Sequence, residues 1–216
     1  MEFLHDLLAL IRNPGELIQW GGYPGMAAIV FLETGALVFF LPGDSLLVMA
    51  GLYAAQGSLD IGLLNLILIP CAILGDATSY WIGARTGPMI FSKPKSRFFD
   101  PAHVRAAHAF YEKHGGKAII IARFMPLVRT FVPVVAGVAG MSYSKFASFN
   151  VIGAVAWVAS MTLTGYLLGT LFPAVVEHIE KVIILVVLLS ILPGVWQWAK
   201  ARMNKAPAAP SVAPEE

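Results

Sequence analysis

The sequence predicts an all-α polytopic membrane protein built from two inverted repeats, each a re-entrant helical hairpin followed by transmembrane helices. Three observations carry that expectation. Of 216 residues, 57% are hydrophobic and only 13% are charged, against roughly a quarter charged in an ordinary soluble domain. A mean hydropathy of +0.72 leaves too little polar surface to cover a water-soluble globule. The apolar runs also come in two kinds, charge-free stretches of spanning length and stretches interrupted by prolines and ionisable residues. The chain has room for about four to six segments of ~20 residues. A net charge of +2 gives no reason to expect nucleic acid as a partner. The single cysteine, Cys71, excludes an intramolecular disulfide and reads as a small buried hydrophobe.

The elements follow in order. Residues 1–25 are expected to form an interfacial or membrane helix; they carry Glu2, Asp6 and Glu16 against Arg12. With no cation before Arg12, no cleavable signal is expected. Residues 26–87 form the first repeat. Within it, residues 26–55 are broken by Glu33, Pro42-Gly43 and Asp44, as in a hairpin that enters the membrane and turns back. Proline removes a backbone donor, and the freed groups need protein or water around them, which lipid does not supply. Residues 61–84 have spanning length and are interrupted only by Asp76. The connector 88–116 has a net charge of +3 from Lys93, Lys95, Arg97, Arg105 and Lys113 against Asp100 and Glu112. Asp100-Pro101 and Gly115-Gly116 bracket a short helix, and the positive charge places this connector in the cytoplasm.

The second repeat, residues 117–172, opens with a run over 117–141 broken by Arg123, Pro126, Arg129 and Pro133. The stretches 146–176 and 182–199 carry no charge and read as transmembrane helices, the second lying within a C-terminal segment 173–199. The basic cluster Lys200, Arg202 and Lys205 returns to the cytoplasmic side. The Ala/Pro-rich end of the 200–216 tail is too poor in apolar surface to order itself. Paired interrupted segments in corresponding positions of two halves point to a transporter with its site at the repeat interface.

Glu33, Asp44, Asp76, Arg123 and Arg129 are the ionisable residues inside apolar stretches. Each costs about 2.5 to 3.5 kcal/mol at a helix centre on insertion scales, so they mark a site or a set of structural ion pairs. On an unbroken helix the six residues from Arg123 to Arg129 turn through about 600°, leaving the two side chains some 120° apart. A break at Pro126 would let both guanidinium groups enter one cavity, where planar forks suit a phosphate. Glu33 and Asp44 flank the first hairpin tip and are candidate proton carriers. Asp76, Tyr80, Gly83 and Gly87 share one helical face, and Arg85 is expected at the cytoplasmic end of that helix, where a cation suits the dipole. The GxxxG pairs Gly83/Gly87 and Gly165/Gly169 predict close helix packing. His5, His103, His108, His114 and His178 fall at termini or in loops, with spacings that stack on no helical face, so no metal site is expected. No cofactor is expected either. No histidine nucleophile lies near the arginines and no base near Ser45, so an enzyme is not expected.

The segments PheLeuGlu (31–33), LeuProGlyAsp (41–44), GlyAsp…TyrTrpIleGlyAlaArgThrGly (75–87) and ArgPheMetProLeuValArgThrPheValProValValAlaGly (123–137) resemble the DedA family of bacterial inner-membrane proteins, within the SNARE-associated or VTT-domain superfamily. The resemblance covers about residues 26–173. It implies two inverted re-entrant hairpins and a multi-pass location in the bacterial inner membrane. Relatives are proposed to return undecaprenyl phosphate between leaflets under the proton-motive force. The family's functional acids and arginines map onto Glu33, Asp44, Arg123 and Arg129.

Both lines lead to one expectation, a proton-coupled lipid phosphate translocase. Arg123 and Arg129 would hold the phosphate, and Glu33 and Asp44 would exchange protons. Pro42, Gly43, Pro126, Pro133 and Gly137 would shape and pack the hairpins, with Asp76, Tyr80 and Arg85 as secondary candidates. Its partners would be undecaprenyl phosphate, membrane lipids and protons. The sequence is compatible with a homo-oligomer and leaves the oligomeric state open. An ion/proton antiporter would use the same carboxylates without needing the arginines, and a membrane scaffold would merely pair the charges.

Overall fold

The computed structural model describes residues 14–36, 41, 43–91 and 116–172. The connector's central residues 92–115, the C-terminal helix and tail over 173–216, residues 1–13, Pro42 and all five histidines lie outside them. Six helices are described: α1 (Pro14–Gly35), α2 (Gly43–Ala55), α3 (Ile61–Phe91), α4 (Lys117–Ala122), α5 (Pro126–Val138) and α6 (Tyr143–Leu171). Over the described residues the chain is all-helical, and two stretches, Ile61–Gly87 and Tyr143–Leu171, are long and apolar enough to cross a membrane. The 29 residues of α6 extend about 43 Å at 1.5 Å per residue, more than the ~30 Å of a hydrocarbon core.

The helix limits have local causes. Met125 is extended, with φ −112° and ψ 106°, because the ring of Pro126 disfavours the helical region for the residue before it. The chain therefore breaks between α4 and α5, and Pro126 opens α5 at a position where a missing donor costs nothing. Pro133 was expected to break this run as well, but it lies inside α5, which continues through it. A proline in a helix already under way removes one ladder bond, and packing of α5 on α3 holds the rest in place.

The expected boundary at residue 26 falls inside α1, which runs from Pro14 across a kink at Gly22. Gly22 has φ 53°, a conformation glycine alone adopts without steric cost. Helix α3 likewise passes through Pro70 and Pro88 to Phe91, beyond the expected limit at 87. Arg85, exposed, thus sits more than a turn inside the helix rather than at its end. Helix α6 stops at Leu171, where Phe172 leaves helical geometry at φ −129°.

The long helices and the short ones are interleaved. The second arm of the first broken segment, α2, packs on α6, whereas the second arm of the other, α5, packs on α3. Glycines set both crossings. A Cβ at Gly51 would collide with the Thr162 carbonyl, and one at Gly165 with the Val48 carbonyl; a Cβ at Gly137 would meet the Tyr80 carbonyl, and one at Gly83 the Val134 carbonyl. Backbone lies against backbone at each crossing, which only small residues allow. One apolar core gathers Leu17, Met26, Val30, Leu46, Leu64, Leu68 and Trp157 between α1, α2, α3 and α6. A smaller one joins Tyr80, Ile119, Ala136 and Phe146.

Polarity runs opposite to that of a soluble protein. Leu66 is 70% exposed, and Leu63, Leu74, Val151, Ile152, Leu163 and Leu167 also face outward. Glu33, Asp44, Asp76, Arg123 and Arg129 are at most 9% exposed. Apolar side chains outside and charges inside are what a hydrocarbon solvent selects.

Candidate functional site

The five buried ionisable residues come from five different helical elements and meet in the interior. Arg129, one turn into α5, extends to the first broken segment, where Nη2 donates to Glu33 Oε1 near the end of α1 and Nη1 to Asp44 Oδ1 in the first turn of α2. Asp44 gains further from the positive end of the α2 dipole. Gly43 is required beside it, since a Cβ there would overlap the Glu33 carboxylate. The α2 N-terminus can approach Glu33 this closely only because that side chain is missing.

Helix α1 ends inside the protein, so its last carbonyls need donors. Ser79 on α3 supplies one, its hydroxyl lying 2.7 Å from the Thr34 carbonyl and 3.1 Å from that of Gly35. Gly75 on the same helix face lets Gly35 come close. The carboxylate of Glu33 is thereby fixed in space by α3 as well as by its ion pair.

Arg123 follows the last turn of α4 and forms a second centre. Its Nη2 lies 2.7 Å from Asp76 Oδ2 and 3.3 Å from the Ala72 carbonyl. Its Nη1 donates to Asn150 Oδ1 at 2.7 Å and to the Asn150 carbonyl at 3.1 Å. Asn150 in turn donates to the Ile73 carbonyl at 3.1 Å, so α3, α4 and α6 are tied through one guanidinium.

Trp157 on α6 joins the two centres. Its indole Nε1–H donates to Asp44 Oδ1 at 2.8 Å. The Arg129 guanidinium lies 4.6 Å and that of Arg123 5.8 Å from the ring centroid, within the range of cation–π attraction.

The break at Pro126 does bring both arginines to one indole, yet neither is an open fork. Arg129 is closed by two carboxylates, and Arg123 by one carboxylate together with Asn150 and backbone carbonyls. The two are not equivalent. Both terminal nitrogens of Arg123 are held by Asp76, Asn150 and backbone. Arg129 Nε, Glu33 Oε2 and Thr130 Oγ1 are the buried side-chain atoms without a hydrogen-bond partner among the described residues, and two of them belong to the same ion pair. Three carboxylates and two guanidinium groups give the assembly a formal charge of −1 when all are ionised.

Tyr80 is placed elsewhere. Its hydroxyl donates to the Met141 carbonyl and its ring stacks on Phe146, 4.6 Å between centroids, so it braces the α5–α6 turn. Gly137 lies in the α3–α5 contact rather than among the charges, and Pro133 is buried within α5. Among the described residues no three His, Cys, Asp or Glu gather into a group that could hold a metal.

Trp157, Asn150 and Ser79 are the contributors that the sequence did not single out. A signal for two of them exists. Asn150, Gly153, Ala154 and Trp157 repeat at helical spacing and are all buried, a polar and small stripe in a run otherwise readable as a plain span.

The sequence matches the VTT domain over residues 41–167. It is 45% identical over 190 residues to Protein DedA of Escherichia coli (strain K12), covering 87% of this chain and 86% of that one. It is 46% identical over 186 residues to an uncharacterized membrane protein of Mycobacterium tuberculosis (strain ATCC 25618 / H37Rv), covering 84% and 82%. It is 38% identical over 181 residues to Inner membrane protein YqjA of Escherichia coli (strain K12), covering 78% and 80%. No solved structure matches. The chain belongs to the VTT-domain (DedA) family of membrane proteins.

Proposed function

We propose that this VTT-domain protein moves a lipid phosphate, undecaprenyl phosphate in the first instance, between the leaflets of the bacterial inner membrane under the proton-motive force. One observation carries the reading: a single buried guanidinium, that of Arg129, is shared by two carboxylates from the opposite half of the chain. A phosphate presents the same acceptor geometry as a carboxylate and can compete for the fork. Protons taken up by Glu33 and Asp44 release the cation to it, and their loss expels it. Two protons, one on each of these carboxylates, take the assembly from a formal charge of −1 to +1, which a singly charged phosphate then neutralises, and this ties occupancy to proton movement. Arg123 adds a second positive charge at the same indole.

The outward apolar faces of α3 and α6 let a polyprenyl tail stay in lipid while only the headgroup enters. The matched glycine crossings of α2 on α6 and α5 on α3 support two inverted repeats with re-entrant hairpins, and hence a site that opens to either side. The basic connector and C-terminus are assigned to the cytoplasm on charge. We read the chain as a transporter rather than an enzyme. Two of the relatives are named as membrane proteins.

The test is leaflet-to-leaflet movement of undecaprenyl phosphate in proteoliposomes, with and without an imposed pH gradient, for wild type and Arg129→Ala. Gradient-stimulated movement that disappears in the variant is expected. Movement no faster than in empty liposomes, with folded protein present, overturns the reading and favours an ion/proton antiporter.

A further inference from the structure

The Arg129 centre has one partner that neither a proton nor an anion displaces. Glu33 and Asp44 release the guanidinium when they are protonated or when a phosphate takes it. The face of the Trp157 indole, 4.6 Å from that guanidinium, has no proton to gain, and its attraction for a cation strengthens away from water. The same indole donates to Asp44 Oδ1 at 2.8 Å, the oxygen that also accepts from Arg129 Nη1. Trp157 has no exposed surface, so α6 fixes the ring while the ion pairs change around it.

We propose that Trp157 is the positioning residue of the Arg129 site: its ring face keeps the guanidinium in place while the carboxylates are exchanged for a phosphate, and its N–H holds the Asp44 carboxylate toward that exchange. The inference rests on the lipid phosphate reading for what Arg129 receives. The charged groups around Asp44 are Glu33 from α1, Arg129 from α5, and the Arg123–Asp76 pair from α4 and α3, with Trp157 the donor from α6. Each of the two functions of the indole can be removed separately. Trp157→Phe retains a ring face and loses the N–H, and Trp157→Leu loses both.

The experiment uses the full chain in proteoliposomes for transport and in phospholipid nanodiscs for nitrogen-15 spectroscopy of the indole groups. Trp157→Leu is expected to raise KM for undecaprenyl phosphate by about tenfold or more, the scale of a desolvated cation–π contact. Trp157→Phe is expected to keep KM within about threefold while lowering the maximal rate by more than that, because the N–H that holds the Asp44 carboxylate is gone. The Trp157 Nε1–H resonance, identified by its disappearance in Trp157→Phe, is expected to follow pH in wild type and to lose that response in Asp44→Asn. A resonance indifferent to both pH and Asp44→Asn overturns the proposal whether or not lipid moves. So does a Trp157→Leu protein with wild-type KM and maximal rate. A wild type that moves no lipid yet shows the Asp44-dependent resonance overturns the lipid phosphate reading and leaves the positioning role supported.

Discussion

Breaking the Arg123 centre from one side should be far more damaging than dismantling it. Arg123→Met removes the cation that faces Asp76 at 2.7 Å and leaves a carboxylate 5% exposed with its charge uncompensated. Losing one partner of a buried pair costs about 3–5 kcal/mol. Adding Asp76→Asn removes the orphaned charge. What then persists is the Asn150 side-chain oxygen, which accepted from Arg123 at 2.7 Å and now lacks its donor, a cost of about 1–3 kcal/mol. The double variant should therefore be more stable than Arg123→Met alone by about 2 kcal/mol, roughly thirtyfold in the unfolding constant. Denaturant-induced unfolding of the full chain in mixed micelles, followed by helical circular dichroism, measures the difference. A double variant as unstable as the single one, or more so, refutes the pairing argument. The same proteins decide what Arg123 contributes to transport. If the folded double variant still moves lipid, Arg123 ties helices together and Arg129 alone holds the phosphate.

Three further outcomes are expected. Glu33→Gln should leave the chain folded, since the amide oxygen can still accept from Arg129, while changing the pH dependence of transport to that of the remaining carrier Asp44; a pH profile identical to wild type in that variant speaks against Glu33 as a proton carrier. Arg129→Lys should reduce transport at least tenfold, because an ammonium cannot engage two acceptors in one plane, whereas an antiporter needing only the carboxylates would tolerate it in an ion-flux assay. Gly51→Ala and Gly137→Ala should each destabilise by about 1–3 kcal/mol, as their Cβ atoms meet backbone that cannot give way. Gly21→Ala, where nothing lies within 4 Å, should leave the unfolding midpoint unchanged or higher.

What the sequence disclosed and what it hid follow from how each signal is written. Glu33, Asp44, Asp76, Arg123 and Arg129 were legible because an ionisable group in an apolar run is costly wherever it faces, so its presence alone marks a site or a structural ion pair. Their pairing was not legible. It depends on α5 lying against α3 with its first turn facing α1 and α2, a tertiary arrangement that no local spacing encodes. The break before Pro126 was legible because proline acts on its immediate neighbour. The continuation of α5 through Pro133, and of α3 through Pro70 and Pro88, was not, since tolerance of a proline depends on what surrounds the helix. Trp157 was hidden for a different reason. An indole in a charge-free span looks the same whether it faces lipid or an ion pair, and only the Asn150–Gly153–Ala154–Trp157 stripe distinguishes the two.

The glycine contacts carry the internal relation further than the broken runs alone. Gly51 faces the Thr162 carbonyl and the Tyr166 amide, and Gly165 faces the Val48 carbonyl; Gly137 faces the Tyr80 carbonyl and the Ala84 amide, and Gly83 faces the Val134 carbonyl. The spacing from Val48 to Gly51 equals that from Val134 to Gly137. The spacings among Thr162, Gly165 and Tyr166 likewise repeat in Tyr80, Gly83 and Ala84. Two helix crossings of the same design thus recur, each joining the second arm of one broken segment to the long helix of the other half. The charges do not recur with them. Asp44 and Glu33 occupy the first broken segment and Arg123 and Arg129 the second, so one half presents carboxylates where the other presents guanidinium groups. Two matched crossings, with opposite charge on the two broken segments, draw the breaks together in the interior. In the proposed transport cycle, that attraction is the one a proton or a phosphate undoes.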